Sequence, residues 1–81
     1  MNMGLDDYEI KVLKTLYARP SWTSTHKVAK LTHFAWETVD SVLHTLKEEN
    51  FVEHKQIGDK NLWKFNYEMW KKVREEFKKN K

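Results

Sequence analysis

Val28-Ala29-Lys30-Leu31-Thr32-His33-Phe34-Ala35-Trp36-Glu37-Thr38-Val39-Asp40-Ser41-Val42-Leu43 is the stretch on which the fold of this chain turns. Its opening residues close a helix whose apolar side is Val28, Ala29 and Leu31, ending near Thr32. His33-Phe34-Ala35 is a tight connection. From Trp36 onward Val39, Val42, Leu43 and Leu46 recur at i, i+3, i+4 and i+7, one buried face of a helix running to about Glu49. Asn50 stands where that helix must stop, and Asn is second only to Gly as a left-handed cap.

Upstream, Asp6 and Glu9 form a capping-box-like start for a first helix from about Asp7 to Ala18. Its apolar residues Leu5, Tyr8, Ile10, Val12, Leu13, Leu16 and Tyr17 span about 200° of the helix, wide for an element buried on one side. Arg19-Pro20 ends it, because the residue before proline avoids helical backbone angles. Ser21-Trp22-Thr23 is short and β-compatible, and Ser24 or Thr25 can cap the second helix. Downstream, Phe51 to Gln56 and Asn61 to Phe65 read as strands around the turn Ile57-Gly58-Asp59-Lys60. Asn66 can cap a last helix to about Lys79, striped by Tyr67, Trp70, Val73 and Phe77.

The quoted stretch resembles the helix-turn-helix of winged-helix transcription regulators. There an aliphatic-Ala pair opens the pattern, a Leu-Thr-Gly-Leu-Ser turn follows, and Thr-Val and an aliphatic pair close it. The match covers Val28 to Leu43, and the element order carries it over about residues 7–66. MarR-like, ArsR-like and small archaeal or viral regulators share the pattern. The implied fold is α+β and mainly α: a three-helix core, a two-stranded wing and an additional C-terminal helix. Residues 1–81 then form one domain, with the helix-turn-helix at about 25–50, the wing at about 51–65 and a packing or dimerisation helix at about 67–79. Two positions depart from the pattern. His33 replaces the turn glycine, and Ala35 replaces the Ser that usually caps the recognition helix.

At 81 residues, with 40% hydrophobic and 33% charged content, the chain holds one small core. It has no cysteine, which favours a reducing compartment. Asp6 and Asp7 interrupt any N-terminal apolar stretch, and no run approaches a membrane span. The expectation is a soluble cytoplasmic protein with no membrane partner. The net charge of +3 is unevenly placed: residues 67–81 hold six Lys/Arg against three Asp/Glu, while residues 23–50 hold three against four. The basic excess lies in the tail, where Lys71, Lys72, Arg74, Lys78 and Lys79 read most simply as a solvated face.

The resemblance implies double-stranded DNA as the partner, with Trp36, Glu37, Asp40, Ser41 and His44 facing the major groove. Trp36 could instead close the core, since it precedes Val39 by one turn. Glu37 can accept from a cytosine amine but repels phosphates. Thr25, Lys27 and Lys30 on the second helix, and Lys55, Lys60, Asn61 and Lys64 on the wing, are expected on the DNA backbone. Leu5, Tyr8, Val12, Tyr67, Trp70, Val73 and Phe77 are expected at a homodimer interface, since related regulators often pair through the first and last helices. His26, His33, His44 and His54 lack zinc-site spacing, and there is no phosphate loop or nucleophile motif. No metal, cofactor, small-molecule ligand or catalysis is expected. A protein-interaction module of a larger transcription or replication complex, and a non-specific architectural chromatin protein, are the rival functions.

Overall fold

The computed structural model describes residues 5–71. In chain order the elements are α1 (Asp7–Tyr17), β1 (Thr23–Ser24), α2 (Thr25–Thr32), α3 (Trp36–Glu48), β2 (Val52–Ile57) and β3 (Lys60–Phe65). Residues 67–71 are helical.

Local chemistry sets the helix ends. The Asp6 carboxylate accepts from the Glu9 N–H, and the Glu9 carboxylate accepts from the Asp6 N–H, both at 2.8 Å. Two otherwise unpaired donors are thereby satisfied at once. Ser24 caps α2, its hydroxyl accepting from the Lys27 N–H at 3.1 Å. Ala35 has no side chain to cap α3 with, and that helix starts without a side-chain cap. Asn66 accepts from the Met69 N–H through its side-chain oxygen at 3.2 Å and starts the last helix.

The turn between α2 and α3 passes through His33 at φ 66°, ψ 21°, in the left-handed region. Asn50, after α3, has φ 66° as well. Left-handed backbone costs an L-residue about 1–2 kcal/mol, which glycine escapes at an entropic cost of about 0.5–1 kcal/mol. His33 is exposed. His33→Gly should therefore stabilise the fold by roughly 0.5–1 kcal/mol, raising the melting temperature by about 2–8 °C. A thermal melt with an unchanged or lower midpoint would contradict this account of the turn.

The sheet has three strands in the order β1-β3-β2, all antiparallel, where the hairpin alone would have made two. Thr23 pairs with Trp63 and Ser24 with Leu62, so the segment after Pro20 is stitched to the middle strand. The inner face presents Val52, Trp63 and Phe65 to the helices. There they join Val12 and Leu16 of α1, Val28 of α2, and Val39, Leu43 and Leu46 of α3 in one core. Trp63 is fully buried, and its Nε1–H donates to Thr25 Oγ1 at 2.7 Å. That bond ties β3 to the first turn of α2 across 38 positions of sequence.

Three expected packing positions differ. Leu31 was expected on the inner side of α2 but is 38% exposed. Thr32 turns inward in its place, its hydroxyl donating to the Val28 carbonyl at 2.9 Å so that no polar group is stranded. Val42, expected in the buried stripe, is only half-buried because it flanks the line through Val39, Leu43 and Leu46. Val12, expected at a dimer face, is fully buried in the chain's own core and cannot reach a second copy.

The broad apolar arc of α1 finds partners within the chain. Tyr8 packs edge-on against Phe34, with ring centroids 4.9 Å apart. Tyr17 stacks edge-on against Phe65 at 5.1 Å, and its carbonyl accepts from the Tyr67 hydroxyl at 2.8 Å. Between α1 and Trp70 lies an apolar groove of about 390 Å³ lined by Leu5, Ile10, Leu13, Tyr17 and Phe65. Val73 and Phe77, also expected at the dimer interface, lie outside the described residues, as do Lys72, Arg74, Lys78 and Lys79.

Candidate nucleic-acid interface

The outer side of α3 is free of the core. Trp36, Glu37, Ser41 and His44 are exposed, and Trp36 at 48% does not close the core. Leaving a large aromatic ring in water is unfavourable, so a ring held out at the start of a helix is a candidate contact. Asp40 and His44 sit one turn apart with His44 Nε2 3.5 Å from the Asp40 carboxylate, an ion pair when the imidazole is protonated.

α2 and the wing tip flank this helix face. Lys27 and Lys30 are exposed on α2. Beside Trp36 a cleft of about 290 Å³ is lined by Ser24, His26, Asp59, Lys60 and Asn61. Residues from the start of α2, the start of α3 and the turn after β2 thus meet around one opening. Lys27, Lys30 and Lys60 bring positive charge to this side, while Glu37, Asp40 and Asp59 bring negative charge. The side is mixed, and any phosphate attraction would come from individual lysines rather than from a broad positive field.

Thr25, expected on the DNA backbone, is 5% exposed, and its hydroxyl is occupied by the Trp63 indole. Its role is inside the fold, because the first turn of α2 packs on the sheet. The wing residues separate according to strand alternation. Asn61 lies on the inner side of β3, its side-chain oxygen 2.8 Å from His54 Nε2. Lys55 and Lys64 lie on the opposite, outer side with Glu53 and Leu62. Lys60, next to the turn, still reaches the cleft. The expected set of four wing contacts is therefore split between two faces.

An aromatic block that no local sequence motif marks supports the α3–wing junction. The His54 ring lies 4.3 Å from the Trp63 ring, and the His44 ring meets Trp63 edge-on at 5.2 Å. Histidines of α3 and β2 thus rest on one buried indole. The available signal was the period-two pattern His54, Gln56 against Asn61, Trp63, which assigns these side chains to one sheet face once the register is known.

No protein-family model matches this chain. No curated protein matches it. Among solved structures, it is similar to TrmBL2, an archaeal chromatin protein whose structure is described as showing a novel mode of DNA binding. The two superpose with a TM-score of 0.68 at 19% sequence identity, over 98% of this chain and 33% of TrmBL2. The fold is a winged helix. At that identity the likeness concerns the fold, and this chain spans about a third of the length of the chromatin protein. Among the described residues, no helix is long and apolar enough to cross a membrane, and no three His, Asp or Glu side chains cluster as a metal site would require.

Proposed function

We propose that this chain is a cytoplasmic double-stranded-DNA-binding regulator of transcription that works as a homodimer. The carrying observation is that the α3 face holds Trp36 in solvent, next to a cleft whose rim bears Lys60 and Asn61. Similarity in fold to a DNA-binding chromatin protein supports the same reading. In this mechanism α3 enters the major groove, where Trp36, Glu37, Ser41 and His44 meet base edges. Lys27 and Lys30 from α2, and Lys60 and Asn61 from the wing tip, hold the phosphates on either side. Glu37 and Asp40 keep phosphates away from the start of α3, so affinity comes from the flanking lysines and base choice from α3.

The dimer is motivated by the apolar groove between α1 and Trp70, whose lining residues Ile10, Tyr17 and Trp70 are all exposed. Leu5, Tyr67 and Trp70 would border the pairing surface, with Val73 and Phe77 continuing the stripe in sequence, while Tyr8 packs on Phe34 at the other edge of α1. A two-fold pair would present two α3 helices about one DNA turn apart.

The description of TrmBL2 as a chromatin protein favours a second reading, a non-specific architectural protein. Sedimentation velocity of the full chain, alone and with duplexes of random and enriched sequence, tests both. The proposal expects a dimer alone, and a dimer-sized increment on duplex that survives an excess of unrelated competitor. A complex lost equally to any competitor would favour the architectural reading. A monomer that leaves duplex unshifted at low salt would overturn the proposal.

A further inference from the structure

The outer face of the sheet carries a group that the duplex reading does not use. Trp22, in the segment between α1 and β1, lies beside this face and is half-buried. Lys55 of the far strand places its Nζ 4.5 Å from the centre of the Trp22 ring, and Lys64 of the middle strand places its own at 5.9 Å. Because β1 pairs with β3 and β3 with β2, the group draws on the whole width of the sheet. Among the described residues neither lysine is in an ion pair. The aromatic ring and two cations therefore stand together on the side of the sheet opposite the inner-face residues Asn61 and Trp63.

We infer that this face binds single-stranded nucleic acid, with one unpaired base stacked on Trp22 and Lys55 and Lys64 on the neighbouring phosphates. Three arguments select that occupant. Every base has a π-face that an indole can stack against without regard to sequence. Two lysine ammonium groups within 6 Å of one ring set cations beside a stacking platform, as the alternation of phosphate and base along a single strand requires. And an exposed cation over a ring is a weak contact, so exchanging the Lys55–Trp22 pairing for a stacked base and a lysine–phosphate pair is favourable. A duplex would not serve, because its bases are already stacked and only its phosphates could reach the sheet. Glu53, opposite Lys64 in register, is the one acidic group on this face and weakens the site. The site stands apart from the α3 face and does not depend on the duplex proposal.

The test is fluorescence polarisation with the full chain and end-labelled ten-nucleotide oligothymidine or oligouridine, at several salt concentrations. Trp22→Leu, which keeps apolar cover over the sheet, should weaken binding by about 5- to 100-fold. The pair Lys55→Gln and Lys64→Gln should reduce the salt slope by about 1.4, at roughly 0.7 per phosphate contact on a single strand. Glu53→Gln should tighten binding. Binding of either oligomer supports the site, and the tighter one assigns the strand type. Unlabelled duplex should not displace the oligomer, and the two lysine substitutions should leave duplex affinity unchanged. If Trp22→Leu fails to fold, the lysine pair, of which Lys55 is exposed and Lys64 half-buried, carries the test. No oligomer binding at low salt, binding unchanged in the lysine pair, or competitive displacement by duplex would each overturn the inference.

Discussion

Trp63→Ala should remove a large share of the folding stability of the chain. Trp63 is the largest fully buried side chain among the described residues. Truncating a buried aromatic residue to alanine costs about 3–5 kcal/mol, through lost burial and the cavity left behind. A domain of this size has only about 4–12 kcal/mol to lose. The melting temperature should fall by about 15–30 °C. The indole also bridges three elements, since its N–H reaches Thr25 of α2 while its ring supports His44 of α3 and His54 of β2. Thr25→Val isolates one of these links. It preserves shape but leaves the Nε1–H buried without an acceptor, a loss of about 1–3 kcal/mol. Chemical denaturation of both variants checks the pair. A Thr25→Val protein as stable as the parent would mean that the indole–hydroxyl bond does not hold α2 to the sheet.

Local signals in the chain read through to structure where one or two residues decide the outcome. Asp6 with Glu9, Arg19-Pro20, Ser24 and Asn50 each mark a helix boundary by a mechanism confined to a few neighbours, and all lie at or next to the observed ends. His33 was legible as a left-handed turn because histidine tolerates that region better than most side chains and the helix pattern breaks there. Readings that need three-dimensional neighbours fared differently. Trp36 stood one turn before Val39 and could have pointed either way; only the packing of α1 and α2 against α3 leaves it outside. Thr25 looked like a surface hydroxyl at a helix start, and the residue that engages it lies 38 positions away. The wing lysines seemed equivalent in sequence because composition carries no face. The register Lys55↔Leu62 and Gln56↔Asn61 is what separates Lys55 and Lys64 from Asn61. Val12 failed as a dimer residue for a related reason. A wide apolar arc does not say which of its edges the chain itself will cover, and here the core takes Val12 and Leu16 while Tyr8 and Ile10 remain partly exposed.

The same separation of faces makes the duplex proposal sharply testable. If Lys27 and Lys60 each neutralise one phosphate, their joint replacement by alanine removes two released counterions from the binding equilibrium. The slope of log K against log salt should then shrink by about 1.8, at roughly 0.9 per contact. Between 50 and 200 mM salt the parent should lose about 10-fold more affinity than the variant. Both lysines are exposed, so their replacement should spare the fold. Lys55→Ala is the internal control, since Lys55 stands on the outer face of the sheet over Trp22. The decisive measurement is therefore the salt dependence of duplex binding for the parent, the Lys27→Ala/Lys60→Ala double variant and Lys55→Ala. A slope reduced by about two units in the double variant and unchanged in Lys55→Ala is the result expected of an α2–α3–wing-tip interface. Equal slopes for the parent and the double variant, or a reduction confined to Lys55→Ala, would contradict it.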